Sequence, residues 1–470
     1  MINSKLTRTL RTLDGDELKR LLQFLKSPFY NANPNITNLY LLLRNHHPAF
    51  DSAKLAKETV FKKLFPNRAY DHQKLLNLMT GFTSLVEKYL VVLQVEKEEL
   101  EQQKLLVRAY AERPDCYEVF EKKVWELDKT LDAQPYRDEL YFREKKDLNL
   151  LYFGHPYTDK TTDKNNTLAL ANEHFENYMA FAEIKLKCAN NAITNTVGRK
   201  NTRENMHIPS MTDIPVLDIY RKLEQFQRSG EAGSLTGLVG IFISNINLIR
   251  ADDREYILKI LLNYCIRQSN QGDSAFFRTV FDLYKVGLEY ECLTTFGKMT
   301  EGTFQNIVSV STLYGELDWA LEFMGSYENA LDVEIKEDTM AISHAQWYFA
   351  KKDFEKVIHI LKHQFHDPLI KLKSKSLLIR SWFELYMEND NYLELLMAQL
   401  ETLEKYARRE KSLTPGMVAG FQKYLSFLKK IVHRKWDNTL IAELELEMIQ
   451  EQNLMMKNWL LEKTTYILKK

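Results

Sequence analysis

An all-α protein, an N-terminal helical bundle followed by an α-solenoid of helix hairpins, is predicted by three observations. Glycine and proline are scarce, at 16 and 11 of 470 residues, too few for the turns of an all-β chain. Leu, Lys and Glu, all good helix formers, abound. Apolar residues recur at three- and four-residue spacing, and caps and breakers punctuate the runs.

The elements follow in order. Asp14 and Glu17 have the spacing of a capping box, and Leu18, Leu21, Leu22 and Leu25 then recur on one helix face. Ser27-Pro28 ends that helix, because the residue before proline is pushed out of the α region; Asn33-Pro34 starts the next with a cap and a proline in the first turn. Residues 28 to 33 form a corner, and Phe29 and Tyr30 are expected to plug it. A run from Leu39 to Arg44 stops at His46-His47-Pro48, and one from Leu55 to Leu64 stops at Phe65-Pro66-Asn67. A broad apolar stripe opens after Asp71, including Leu75, Met79, Phe82, Val86 and Tyr89, and marks the central helix of the bundle. Pro114, Pro135 and Gly154-His155-Pro156 separate further helices before a long one from about Leu168 to Ile193. The polar stretch 194–215, with two prolines, reads as a linker or mobile loop between domains at 1–193 and 216–470. Asn438 to Lys470 reads as one helix that caps the array.

At 45% hydrophobic and 12% aromatic, the chain buries a large core or several smaller ones. Lys plus Arg equals Asp plus Glu, 64 against 64, so no global field draws it to nucleic acid or anionic lipid. Cys116, Cys188, Cys265 and Cys292 stand far apart, which suggests neither a disulfide framework nor a thiolate metal site and fits a reducing cytoplasm. No run approaching the roughly 18 apolar residues of a membrane span stands out, so no membrane association is expected. The start MINSKLTRTLRTL is free of acids, as transit peptides are, but an ordinary N-terminal helix is the expectation.

Beyond residue 215 the pattern changes character, and an internal repeat appears. AQWYFAKKDFEKVIHILKHQFHDP, from Ala345, lies on SWFELYMENDNYLELLMAQL, from Ser381, at an offset of 38: Tyr348 on Tyr386, Phe354 on Tyr392, Val357 on Leu395 and Leu361 on Gln399. At an offset of 37, Leu317 and Ala320 fall on Phe354 and Val357. Such a period is that of a helix pair whose apolar faces are shared with neighbours. Ala345, Tyr348, Phe354, Val357 and Pro368 stand close to the signature places of the tetratricopeptide repeat family, and the region from about 216 to 435 resembles it. Val357 and Leu395 replace the family's alanine, Ala345 and Phe383 hold its glycine place, and the period exceeds its 34 residues. The resemblance implies a curved stack of hairpins that holds a peptide or a protein surface, with Tyr348 and Tyr386 as partner-binding candidates, and it implies no reaction.

Two residue sets bear on chemistry. In HILKHQFHDP, His359, His363 and His366 follow an i, i+4, i+7 spacing with Asp367 beside them, a candidate zinc face that is otherwise a solvated or partner-facing stripe. Residues 1–74 carry thirteen Lys or Arg against six Asp or Glu. Lys19, Arg20, Lys62 and Lys63, with Arg199 and Lys200 from the loop, are therefore candidate phosphate contacts should the chain bind nucleic acid. No phosphate-cradling glycine loop, dinucleotide fingerprint, zinc-protease motif or nucleophile elbow is present. The expectation is a non-enzymatic scaffold or adaptor with a protein or peptide partner and no cofactor.

Overall fold

The computed structural model describes residues 3–158, 166–197, 214–229, 232–270, 276–435, 437–451 and 454–469. Among them the chain forms 22 α-helices, short 3-10 turns and no strand, so it is all-α. It divides into two compact units, Met1–Gln134 with Tyr141–Phe175, and Pro135–Leu140 with Glu176–Lys470. The division falls inside a helix, at 175/176, whereas the polar composition of 194–215 pointed there. Of that stretch, 198–213 lies outside the described residues.

The first unit contains α1 (Lys5–Arg11), α2 (Gly15–Lys26), α3 (Pro34–Leu43), α4 (Lys57–Leu64), α5 (His72–Lys97), α6 (Glu99–Ala111), α7 (Tyr117–Ala133), most of α8 (Glu139–Gly154) and the start of α9 (Thr167–Val197). The capping box of α2 is formed: Asp14 accepts from the Asp16 and Glu17 amides at 2.8 Å each, and Glu17 accepts from the Asp14 amide at 3.2 Å. At the corner, Asn31 Nδ2 donates to the Leu25 carbonyl at 2.9 Å and to Thr37 at 3.2 Å. These bonds close the turn, and Tyr30 stacks on Phe24 at 4.1 Å. Phe29 does not help to plug it; its side chain is 85% exposed because the asparagine has already fixed the chain path.

Helix α5 is the centre of this unit. Leu75, Phe82, Val86 and Tyr89 are buried in one core with residues of α1 to α4, and Tyr89 donates its hydroxyl proton to the Glu17 carbonyl at 2.7 Å. By length and composition α5 passes for a membrane span, with a mean hydropathy of 1.2 over its best 18 residues. That corrects the expectation of no such run, since the apolar residues are spread among polar ones and only their sum qualifies; α5 packs against the other helices of the bundle. Farther along, Lys145 is buried between Asp128 at 2.5 Å and Asp132 at 3.1 Å, and Tyr141 donates to Asp132 at 2.8 Å. His174 sits beside this group with a buried Nδ1 that has no hydrogen-bond partner. Burial, then the Lys145 charge, holds its imidazole below the usual histidine range.

The second unit continues α9 and adds α10 (Pro215–Ser229), α11 (Ala232–Ser244), α12 (Ala251–Asn270), α13 (Phe276–Glu289), α14 (Glu301–Tyr314), α15 (Leu317–Tyr327), α16 (Val333–Ala350), α17 (Phe354–Ile360), α18 (Pro368–Glu388), α19 (Leu393–Arg409), α20 (Pro415–Arg434), α21 (Asn438–Gln450) and α22 (Lys457–Lys469). The short segment 135–140 belongs to it through ion pairs: Arg250 Nε donates to Asp138 at 2.5 Å, and Lys185 reaches Glu139 at 3.4 Å and Asp253 at 2.9 Å. From α12 to α20 each helix packs on the next, and α16 also packs on both α14 and α18, as in an α-solenoid. Close approach is needed at Gly287 of α13, where a Cβ would lie 2.7 Å from Leu258 and 2.8 Å from Leu293.

Burial tests the offsets read from sequence. Ala320 and Val357, 37 apart, are both fully buried. Leu395, 38 beyond Val357, is 46% exposed, and Leu396 and Leu400 take the buried places instead. An additional 3-10 turn, Asp390–Tyr392, precedes α19 and shifts its register by one residue. The C-terminal segment is also not one helix. It is the hairpin α21–α22, broken where Glu451 is extended and Met456 adopts a left-handed φ of 56°. A straight helix would leave one apolar stripe in water; folded back, Ile441, Leu444 and Met448 share a core with Trp459 and Leu460. Lys457 Nζ then caps α21 by donating to the Ile449 carbonyl at 2.7 Å.

Two outcomes are expected from this packing. Gly287→Ala meets two leucines at once, so it lowers stability by about 1–2 kcal/mol, overpacking exceeding the gain in helix propensity; urea denaturation measures it. His174 binds fewer protons when folded than when unfolded, so its contribution to stability is full above the ordinary histidine value of about 6.5 and falls as pH drops through it. His174→Phe should therefore lose less stability than the parent between pH 7.5 and pH 5, and equal losses would count against the assignment.

Candidate anion-binding pocket

The histidine stretch singled out in the sequence does not form one helical face. Helix α17 ends at Ile360, so only His359 lies on it, exposed, while His363 and His366 follow in the turn to α18. The chain leaves the helix because Asp338, on α16 and 6% exposed, draws the turn to itself. Its Oδ1 lies 2.7 Å from His363 Nε2, and its Oδ2 accepts from the His366 amide at 2.8 Å. Burial raises the Asp338 carboxyl, but the His366 amide, the His363 ring and the Asp367 amide outweigh it and hold the group below the usual range. Among the described residues, no three His, Cys, Asp or Glu side chains are grouped to hold a metal ion.

Helix α18 starts in the next residues. Asp367 caps it, accepting from the Leu369 and Ile370 amides at 2.8 and 2.9 Å, and Pro368 fills the first turn. The turn and α18 enclose a pocket of about 350 Å³. Its polar wall is His363, Gln364, His366, Lys371, Ser374 and Lys375, and its apolar side is Leu361, Phe365 and Leu378, which belong to or pack against the core beneath.

The electrostatics are one-sided. Lys371 and Lys375 stand one turn apart on the pocket, each ammonium 5.7 Å from the centre of the Tyr406 ring, and neither forms an ion pair among the described residues. Tyr406 is held in place by donating to the Pro368 carbonyl at 3.1 Å. Burial, and then the charge of Lys371, lowers the Lys375 ammonium below the usual lysine range. The neighbouring carboxylate Glu410, whose range is lowered by Ser412 and, less, by Lys371, already accepts from the Ser412 hydroxyl at 2.7 Å. Lys373, on the same helix between the two, instead donates to Gln305 of α14 at 2.6 Å. The arrangement offers two cations without an ion pair and an exposed imidazole to an anionic group, with an apolar surface beside them.

The other residues proposed from sequence lie elsewhere. Tyr386 is 4% exposed, covered by the Lys435 ammonium 4.1 Å from its ring centre, and so is a core residue and not a surface anchor. Tyr348 is half-buried under Lys356. Lys19 pairs with Asp16 at 2.8 Å and Arg20 pairs with Glu96, while Lys62 and Lys63 are exposed on α4. Arg199 and Lys200 lie outside the described residues. Sequence reasoning passed over Lys371, Lys375 and Asp338. The first two had a local signal, the run KLKSK directly after the cap Asp367-Pro368; Asp338, 25 residues before His363, had none.

Asp338→Asn should free the turn and cost about 2 kcal/mol at neutral pH, the worth of hydrogen bonds to a charged group. Because the folded carboxyl lies below the ordinary 3.8, this contribution is full above that value and fades as pH falls through the folded one. The gap in denaturation midpoint between variant and parent should therefore close in acid. Compared with protein-family models, with curated proteins and with solved structures, the chain matches none.

Proposed function

We propose that this chain is a non-enzymatic protein-binding scaffold, its C-terminal hairpins a tetratricopeptide-like array, and that the pocket between the 361–366 turn and α18 anchors an acidic group of its partner. The observation that carries this reading is the pair Lys371 and Lys375, facing an open cavity without a counter-ion. Lys19 and Lys356 are paired with acids, whereas Lys371 and Lys375 stand unpaired beside an apolar wall, a setting that favours an external anion. Four free cysteines, three of them buried, support a reducing, cytoplasmic setting. Nucleic-acid binding by the N-terminal bundle is the weaker alternative, since Lys19 and Arg20 are already neutralised.

Capture of the intact chain from its native lysate, with nuclease present, tests the scaffold. The parent should retain a protein partner that Lys371→Glu/Lys375→Glu loses; both side chains face the pocket, so the fold should persist by circular dichroism. A partner released by nuclease, or held equally by both proteins, overturns the reading.

A further inference from the structure

We infer that the pocket of Lys371 and Lys375 receives a phosphoryl group carried on a side chain of a partner peptide. This deepens the scaffold reading and rests on it. The first ground is charge. A carboxylate neutralises one ammonium and leaves the other beside it uncompensated, whereas a phosphomonoester brings about −1.5 to −2 at neutral pH and three acceptor oxygens. Lys375, already partly desolvated and repelled by Lys371, gains most from such a doubly charged neighbour. His366 stands at the mouth with its imidazole exposed and its amide tied to Asp338, where it can donate a further hydrogen bond.

Shape is the second ground. At about 350 Å³, the cavity is of the size that holds small organic ligands, commonly around 300–1,000 Å³, and exceeds what a bare anion fills. Leu361 and Phe365, both more than nine-tenths buried, and Leu378 form an apolar seat for the carrying side chain. The site is also preorganised: Asp338 fixes the turn, Asp367 caps α18, and Tyr406 braces both lysines. Little ordering is left to be done on binding.

The surroundings favour a peptide over a nucleic-acid strand. Glu337 lies 3.9 Å from His363, Asp338 holds His363 and His366, and Glu410 lies near Lys371. A strand carrying a phosphate at every nucleotide needs a track of cations, and here it would run into these carboxylates. A single phosphorylated side chain does not.

The test uses the full chain and degenerate peptide libraries that carry a fixed phosphotyrosine, phosphoserine or phosphothreonine, their unphosphorylated counterparts, and counterparts with glutamate at the fixed position. The parent should retain a phosphorylated library at least about tenfold over both counterparts, as loss of a charge-assisted contact implies. Lys371→Ala/Lys375→Ala should abolish the preference, Lys371→Arg/Lys375→Arg should keep it, and phenyl phosphate should compete. Equal retention of the glutamate library through the same lysines would sink the phosphoryl assignment and leave the scaffold standing. Failure of every library to bind would overturn the phosphoryl assignment, and the lysate capture would then decide the scaffold by itself. Binding of a single-stranded RNA probe, lost in the alanine variant, would reassign the pocket to nucleic acid, and inorganic phosphate bound without any peptide preference would reassign it to a free anion.

Discussion

A pair of amphipathic helices can cover only part of its own apolar surface, and this constraint organises the second unit. Ile342 and Ala345 of α16, Val357 of α17, and Ile370 and Leu377 of α18 belong to a single buried cluster drawn from three successive helices. No one of them is satisfied by its own hairpin. The same sharing runs from α18 through α22, where Phe383, Leu400, Tyr424, Leu444 and Trp459 meet. Each helix is thus placed by the two beside it, and the array ends with a hairpin that folds back on its own apolar stripe.

The pocket is a by-product of that stacking and of one buried carboxylate. Asp338 stands in the core layer of α16, where an unpaired charge would be costly. It is stabilised by the amide and ring donors of the 361–366 turn, and the turn is held open in return. Because the chain reverses there, α18 begins with Lys371 and Lys375 on the side facing the turn. Tyr406, arriving from α19 and bonded to the Pro368 carbonyl, sets its ring 5.7 Å from both ammonium groups. The charge comes from α18, the apolar seat from the turn and α18, and the fixing groups from α16 and α19.

Much of the fold was legible in the residues because caps and breakers act locally. Asp14, Asn33, Asp71, Asp353 and Asp367 each cap a helix through a bond to an amide two or three positions on, and such bonds depend on nothing distant. Positions governed by competition between neighbours were less legible. Phe29 had the composition of a plug, yet Asn31 closed the corner first. Tyr386 had the place of a surface aromatic, yet Lys435 from α20's end covers it. In the histidine stretch the helical spacing was present in the sequence, but α17 stopped before it could be used.

By itself, then, the sequence determined the all-α class, the order of helices and most of their ends, since propensity, capping and apolar period are properties of short segments. It also held the lysine run that lines the pocket. Only the tertiary structure decided that Asp338 reaches across 25 residues to stop α17, that Gly287 carries a close crossing, that the last segment folds in two, and that Lys371 and Lys375 face a cavity while Lys373 does not. The reason is physical: long-range contacts choose among local options of nearly equal free energy, and a choice of that kind leaves no mark on the segment in which it is made.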